Sequence, residues 1–426
     1  YLDEKKRLIT DIPRGDLFNI FENLKIGCII IIDGSAITRK IINRFCINSI
    51  KFLGIYGSCA FTLKKEPKLI DEKLNRLLSW NYLKIDWFKM FIKLKDKFES
   101  QKIDIKKLRP KKSYDYCVNN RNDYYNSIFK NKKKLKKFIK IRNCPSCDYK
   151  YFNKILKKDN LDIVECKRCK TVYVKDILNS KFYTDLYKSE NYQKIMKRLG
   201  NSSHVYRVNR FGKERVEILK KFLKKKKINM LDVGCSTGYV LEYANKIGWK
   251  TTGLEINPET ANYGKLMRGL NIFQKTLEDF NSKEKFDVIT MFDVLEHLEK
   301  PKETIKIAKK LLKKGGLIFV YVPNWNCAQR LLVGEKNSVF INPTHHLTYF
   351  TPKTLGLFFQ KLKFKTIFWE TKGLDLEDYK SFIQKKKNKS FLGNLKDLDI
   401  EILQFYINAS GNGKNLRMIV KKTQWE

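Results

Sequence analysis

The segment from Leu231 to Pro258, LDVGCSTGYVLEYANKIGWKTTGLEINP, constrains this chain more than any other. An apolar run ends at Val233, the backbone turns through Gly234 to Gly238, a helical stretch follows, and a second apolar run ends at Glu255. That order predicts strand, loop, helix and strand, with a carboxylate at the tip of the second strand. Gly234 and Gly238 let the backbone pass close to a ligand where a side chain would collide, and the helix start beyond them offers backbone N–H groups. A dinucleotide fingerprint needs G-x-G-x-x-G, but GCSTGY places Ser236 and Tyr239 at its second and third glycines, which disfavours a nicotinamide or flavin cofactor. Glu255, 21 residues past Gly234, can accept two hydrogen bonds from a ribose diol, so turn and carboxylate together read as a grip on a nucleoside.

The pattern continues on both sides of this segment. Apolar runs end at Val233, at Glu255, near Gln274, at Phe292 (FDVITMF), at Val322 (GLIFVYV), at Glu370 (KTIFWE) and at Lys421 (LRMIVK). Helical stretches lie between most of them, over 242–246, 258–268, 302–313 and 352–362, and Thr351 followed by Pro352 is a helix start signal. Seven strands alternating with helices predict the α/β class: a doubly wound, Rossmann-like seven-stranded sheet covered on both faces, with ligand at the carboxyl ends of its strands.

Ahead of this region stands C-x2-C-x18-C-x2-C, formed by Cys144, Cys147, Cys166 and Cys169. Two such turns can bring four thiolates to the corners of a tetrahedron, which suits zinc. Four protein ligands close the coordination shell, so the metal is expected to hold a fold rather than do chemistry. A redox role would need one CxxC pair rather than two.

The chain has 426 residues, enough for two or three domains, and a formal net charge of +43. That charge invites nucleic acid as a partner, yet residues 228–300 hold 8 Lys and Arg against 11 Asp and Glu. The excess sits elsewhere, in runs such as Lys130 to Arg142 and Lys220 to Lys227, amid a general abundance of Lys, Ile, Asn, Phe and Tyr. Compositional drift is therefore favoured over a nucleic-acid groove, and an anionic membrane surface stays open as a partner. The longest aliphatic stretch, Ile26 to Ile32, is too short to cross a bilayer, and nothing at the start resembles a secretory leader, so a cytoplasmic location is expected. Residues 1–140 carry no chemical motif; RGDLFNIFENLKIGCIIIIDGSAITRK faintly resembles the C-terminal part of a family-2 glycosyltransferase.

Residues 228–324 resemble class I S-adenosylmethionine-dependent methyltransferases. LDVGCSTG is similar to their first motif, GLEINP to the ribose-binding strand end, FDVITMFDVLEHL to the fourth strand and LLKKGGLIFVYVPN to the fifth; HHLTYFT resembles a segment before the next helix. With the CxxC pairs, the chain over 141–426 resembles those members that modify sugars, polysaccharides or lipids. The resemblance implies a zinc ribbon over 141–200 and a methyltransferase domain over 204–426; the basic N-terminal region over 1–140 lies outside it and is unassigned. It implies that Asp232, Gly234, Cys235, Ser236 and Gly238 line the methionine part of the cofactor, that Glu255 takes the ribose hydroxyls, and that Ile256 packs beside the adenine. Leu277 or Glu278 would approach the adenine edge, and Phe292 and Asp293 the sulfonium side. Many relatives carry Gly where Ser236 stands.

A sulfonium already activates its methyl group, so transfer needs positioning and, for a hydroxyl or acidic carbon, a base. Of the four histidines, His297 and His346 are candidates for that base, with a scaffolding role as the alternative for His297 and the favoured reading for His345. Tyr349 and Asn324 are further candidates to shape the acceptor pocket. The implied reaction is methyl transfer to a small-molecule, sugar or glycan-linked acceptor. RNA methylation is the runner-up, although FDVLEH stands where adenine-N6 enzymes carry an Asn/Asp-Pro-Pro-aromatic box. A non-catalytic zinc-ribbon and cofactor-binding module is the third reading.

Overall fold

The computed structural model describes residues 132–179, 182–183, 203–223, 225, 227–385 and 411–423, together with 30–33, 50–55, 58–63, 103–108, 400, 404 and 407–408. Most of the basic N-terminal region and all of the stretch 184–202 lie outside the described residues. Among those described, no helix is long and apolar enough to cross a membrane. The chain divides into two compact units, one comprising 103–322, 342–369 and 417–426, the other 1–102, 323–341 and 370–416.

The larger unit is built on a seven-stranded sheet. Its strands are β9 (Asn229–Val233), β10 (Lys250–Leu254), β11 (Ile272–Phe273), β12 (Phe286–Phe292), β13 (Leu312–Pro323), β15 (Phe364–Lys372) and β16 (Asn415–Lys422), in the order β11-β10-β9-β12-β13-β16-β15. β9 and β12 are buried at every position, as expected of central strands covered on both faces. From β9 the chain winds outward through β10 and β11, then returns to the other side of β9 as β12. The parallel registers set Val233 beside both Leu254 and Met291, so the carboxyl ends of β9, β10 and β12 finish level at the switch point. All seven expected strands form, ending within two residues of the expected positions.

The helices shift slightly from expectation. The first starts at Tyr239 and runs to Lys246, three residues earlier than expected, because Gly238 at φ 77° lets the turn end abruptly. The expected helix over 258–268 is α-helical only through Asn262 and continues as a π-turn over Tyr263–Met267. Thr351 caps Pro352–Lys361 through reciprocal hydrogen bonds with Thr354. Before β9, His204–Arg207 continues through a π-turn at Val208–Gly212 into Lys213–Lys220. Val208, Val216 and Leu219 from this run join Met230, Val240, Val288 and Phe319 in the core.

The cysteine-bearing segment forms a second small sheet. Its strands β5 (Phe152–Lys158), β6 (Leu161–Cys166) and β7 (Val172–Val174) are antiparallel, and β14 (Thr348–Tyr349) pairs antiparallel with β7. Asp159 and Asn160, both at positive φ, make the two-residue turn between β5 and β6. A short ladder of β4 (Ile139–Ile141) with β8 (Asp176–Leu178) completes this part.

In the other unit, β1 (Ile30–Asp33), β2 (Ile50–Ile55) and β3 (Ser58–Leu63) form an antiparallel sheet in the order β1-β3-β2. The fully buried Asp375 accepts hydrogen bonds there from the backbone of Gln329 and Lys414 and from Gln404.

Candidate active site

The level strand ends bring the loop Gly234–Gly238, Glu255 and the segment Phe292–His297 to one edge of the sheet. Gly234 sits at φ 70°, and a Cβ there would stand 2.5 Å from Val294 Cγ2, so both its conformation and its neighbour exclude a side chain. Ser236 also adopts positive φ, which its backbone N–H uses to meet Glu255. One oxygen of Glu255 accepts from Ser236 N at 2.8 Å and the other from Asn257 N at 2.8 Å. Burial raises the Glu255 carboxyl above its ordinary pKa, opposed by the N–H groups of Asn257, Ser236 and Ile256. Each oxygen retains acceptor capacity, because an ionised carboxylate can take about four hydrogen bonds.

Asp232, one residue before the strand end, is buried and accepts from Thr290 Oγ1 at 2.6 Å across the β9–β12 ladder. Burial pushes its carboxyl up to about 7, against the Thr290 hydrogen bond and the Arg215 charge. Ile256 is half exposed, an apolar side chain left at the rim beside Glu255. Leu277 is buried, while Glu278 is exposed and accepts from Thr304 Oγ1 at 2.5 Å. Cys235 turns its side chain away from the edge into a cluster with Leu241, Ala261, Leu270 and Ile272, so only its backbone faces the turn.

Phe292 is buried beside Phe319, and Asp293 follows it on the exposed rim at φ 57°. Over the Phe292 ring, 4.2 Å from its centroid, stands the guanidinium of Arg215, which also lies 5.1 Å from the Tyr321 ring and donates to the Tyr239 hydroxyl. Arg215 lies outside the motifs that the sequence pattern marks. Its signal is an arginine placed four residues from both Phe211 and Leu219, on the apolar face of its helix.

The turn is braced from below. His204, fully buried, has Nδ1 at 2.7 Å from Thr237 Oγ1 and Nε2 at 2.9 Å from Glu242 Oε2. Burial works against the Glu242 charge, yet Arg268, His204 and Lys246 hold its carboxyl far below its ordinary range.

At the other end of the edge, Glu296, His297 and His346 gather, each offering one ligand-type atom within 4.8 Å of the others. The rings of His297 and His346 lie 5.0 Å apart at 64°. His297 Nδ1 is 2.8 Å from the carbonyl oxygen of His345; a carbonyl can only accept, so Nδ1 carries the proton and Nε2 keeps its lone pair. Burial lowers the His297 pKa, which keeps the ring neutral near pH 7. Glu296 is 1% exposed with neither oxygen hydrogen-bonded, and burial together with the Asp293 charge raises its pKa well above the ordinary value. His345 points elsewhere, its Nδ1 3.0 Å from Thr344 Oγ1. Tyr349 is buried against His346 rather than open at the rim, and the fully buried Asn324 spends its amide on the carbonyls of Gly411 and Gly413.

The four cysteines converge as well. Sγ of Cys144 lies 3.5 Å from that of Cys169, Cys147 Sγ lies 3.5 Å from Cys166 Sγ, and all four fall within 4.8 Å of one another. The two CxxC turns match: Asp148 and Lys170, each following the second cysteine of its pair, both adopt positive φ and donate their N–H to the carbonyl of the first cysteine.

Residues 205–367 match the family described as methyltransferase domain. That segment is thus similar to a methyltransferase domain. Over 112 residues it is 34% identical to the ubiquinone biosynthesis O-methyltransferase of Colwellia psychrerythraea, covering 25% of this chain and 46% of that protein. Over 115 residues it is 36% identical to the protein of the same name from Actinobacillus pleuropneumoniae serotype 7, covering 24% and 49%. The chain thus spans about half the length of the curated relatives it matches. Among solved structures, a SAM-dependent methyltransferase from Archaeoglobus fulgidus aligns at a TM-score of 0.35 and 17% identity over 57% of this chain and 100% of that one. The edge described above lies at the carboxyl ends of the parallel strands, within the residues that match that family.

Proposed function

We propose that this methyltransferase-domain protein transfers the methyl group of S-adenosylmethionine to a small-molecule, sugar or glycan-linked acceptor. The observation that carries the reading is the Gly234–Gly238 turn held against the Glu255 carboxylate across adjacent parallel strands. The relatives named as ubiquinone biosynthesis O-methyltransferases support a small hydroxyl-bearing acceptor.

The donor supplies a methyl group already activated on a sulfonium. Glu255 would accept from the ribose hydroxyls, Ile256 would offer apolar surface to the adenine, and the glycine turn would let the backbone lie close to the ligand. The buried Arg215 guanidinium and the Asp232 carboxylate would supply opposite charges for the carboxylate and ammonium of the methionine part. On the acceptor side, Nε2 of His297, with His346 beside it, would take the proton of an acceptor hydroxyl.

Zinc fits the four-cysteine cluster. With Zn–S bonds of about 2.3 Å, tetrahedral thiolates stand about 3.8 Å apart, close to the sulfur spacing here. Cys144, Cys147, Cys166 and Cys169 would hold it as a structural ion. We assign residues 141–200 to this ribbon, 204–426 to the methyltransferase domain and 1–140 to a separate basic region.

Incubation with methyl-labelled S-adenosylmethionine and a fractionated cell extract tests the reading. Label in a small-molecule or glycan fraction supports it. Label confined to RNA, with binding that falls steeply as salt rises, overturns the acceptor class in favour of nucleic acid. No label in any fraction, with the donor bound, favours a non-catalytic binding module.

A further inference from the structure

The four-cysteine sheet does not stand apart from the histidine cluster. β14, which follows His346 by one residue, is the fourth strand of that sheet, with Thr348 opposite Tyr173 and Tyr349 opposite Val172. Val174 N donates to the Leu347 carbonyl at 2.9 Å, while Leu347 N donates to the Glu296 carbonyl at 2.7 Å. One backbone residue, Leu347, therefore links β7 to the segment that carries His297.

Arg142, two residues before Cys144, spans the same junction with its side chain. Its Nε donates to the Val174 carbonyl at 3.0 Å, Nη1 to the Glu299 carbonyl at 3.0 Å, and Nη2 to the Leu347 carbonyl. No carboxylate is among these three acceptors; they are main-chain oxygens of β7, of the stretch after His297 and of the stretch after His346. The planar five-donor fork of guanidinium suits such a three-way task, whereas an ammonium presents a point charge without that fixed geometry. Two ion pairs lie alongside, Lys140 with Glu299 at 2.5 Å and Lys302 with Asp148. Asp148 itself belongs to the first CxxC turn.

We infer that Arg142 is a positioning residue for the His297–His346 pair: its guanidinium ties the segments that follow the two histidines to the sheet that the four cysteines hold. The pairing of the rings at 5.0 Å then depends on the cysteine-bearing sheet, to which neither histidine belongs. The histidines' role as proton acceptors rests on the function proposed above, but their spacing does not.

The test is Arg142→Lys in the full chain, read by NMR of the four histidine rings, assigned with His297→Gln and His346→Gln, and by calorimetric titration with S-adenosylhomocysteine. The expected result is loss of the ring-to-ring contact between His297 and His346 and shifted signals for both. His204 signals should stay in place, and S-adenosylhomocysteine affinity should hold within about threefold, since Arg142 touches none of Asp232, Gly234 or Glu255. An unchanged His297–His346 contact in Arg142→Lys overturns the inference. Should that variant fail to fold, Arg142→Gln, which keeps a side-chain donor but loses the three-way fork, replaces it: a weakened ring contact supports the inference and an unaltered one overturns it. Failure of the parent protein to bind S-adenosylhomocysteine would count against the proposed function alone, because the ring contact is read without ligand.

Discussion

The carboxylate of Glu255 accepts the backbone N–H of Ser236 at 2.8 Å, so the tip of one strand fixes the shape of the turn that leaves its neighbour. The residue proposed to hold the ribose thus also orders the loop that approaches the rest of the donor.

Glu255→Ala removes both jobs. A hydrogen bond to a charged group contributes about 1.5–3 kcal/mol, so losing the ribose contacts should weaken S-adenosylhomocysteine binding by about 10- to 100-fold or more. Isothermal calorimetry measures this directly. Unaltered affinity would remove the ribose assignment.

Asp232 gives a pH signature. Its pKa rises from 3.8 to about 7 on folding, chiefly through burial, so the folded chain holds a proton that the unfolded chain has released. The resulting contribution to stability is full below about pH 4 and is lost as pH climbs through 7. Melting temperatures of Asp232→Asn should therefore fall less between pH 4 and pH 7 than those of the parent. In the parent, S-adenosylhomocysteine should bind more tightly as pH rises through 7, since its ammonium needs the ionised carboxylate; in Asp232→Asn that rise should be flat.

Cys144→Ser with Cys169→Ser removes one thiolate from each CxxC turn. The purified double variant should contain no stoichiometric zinc by atomic absorption, and amide exchange over residues 144–178 should accelerate. Full metal content in the variant would show that the ion sits elsewhere.

His297→Ala should lower turnover by about 10²- to 10⁴-fold on the acceptor identified by labelling, the range for loss of a general base, while S-adenosylhomocysteine affinity stays near the parent value. Equal turnover in the two proteins would leave His297 with a purely architectural role.

Much of this was legible from the chain itself, and the limits have physical causes. The strand ends at Val233 and Phe292 were readable because fully buried parallel strands appear as unbroken apolar runs. The pairing of Gly234 with Glu255 follows from local spacing within one strand-helix-strand unit. Arg215 was hidden because the Phe292, Tyr239 and Tyr321 rings around it come from three separate later elements. Cys235 sits inside the motif, but nothing in the sequence indicates that the turn rotates its sulfur toward Leu241 and Ile272. The attachment of β14 to β7 is equally non-local, joining residues about 175 positions apart.

The position of β16 carries a consequence for how the protein matures. This strand lies between β13 and β15, although both precede it in the chain. A nascent polypeptide that has emerged only as far as residue 400 holds two strands whose shared neighbour is still to be made, with unpaired backbone edges exposed in the meantime. Completion of the sheet is thereby deferred until residues 415–422 are free of the ribosome, and a truncation before 415 should yield a chaperone client rather than a smaller folded protein.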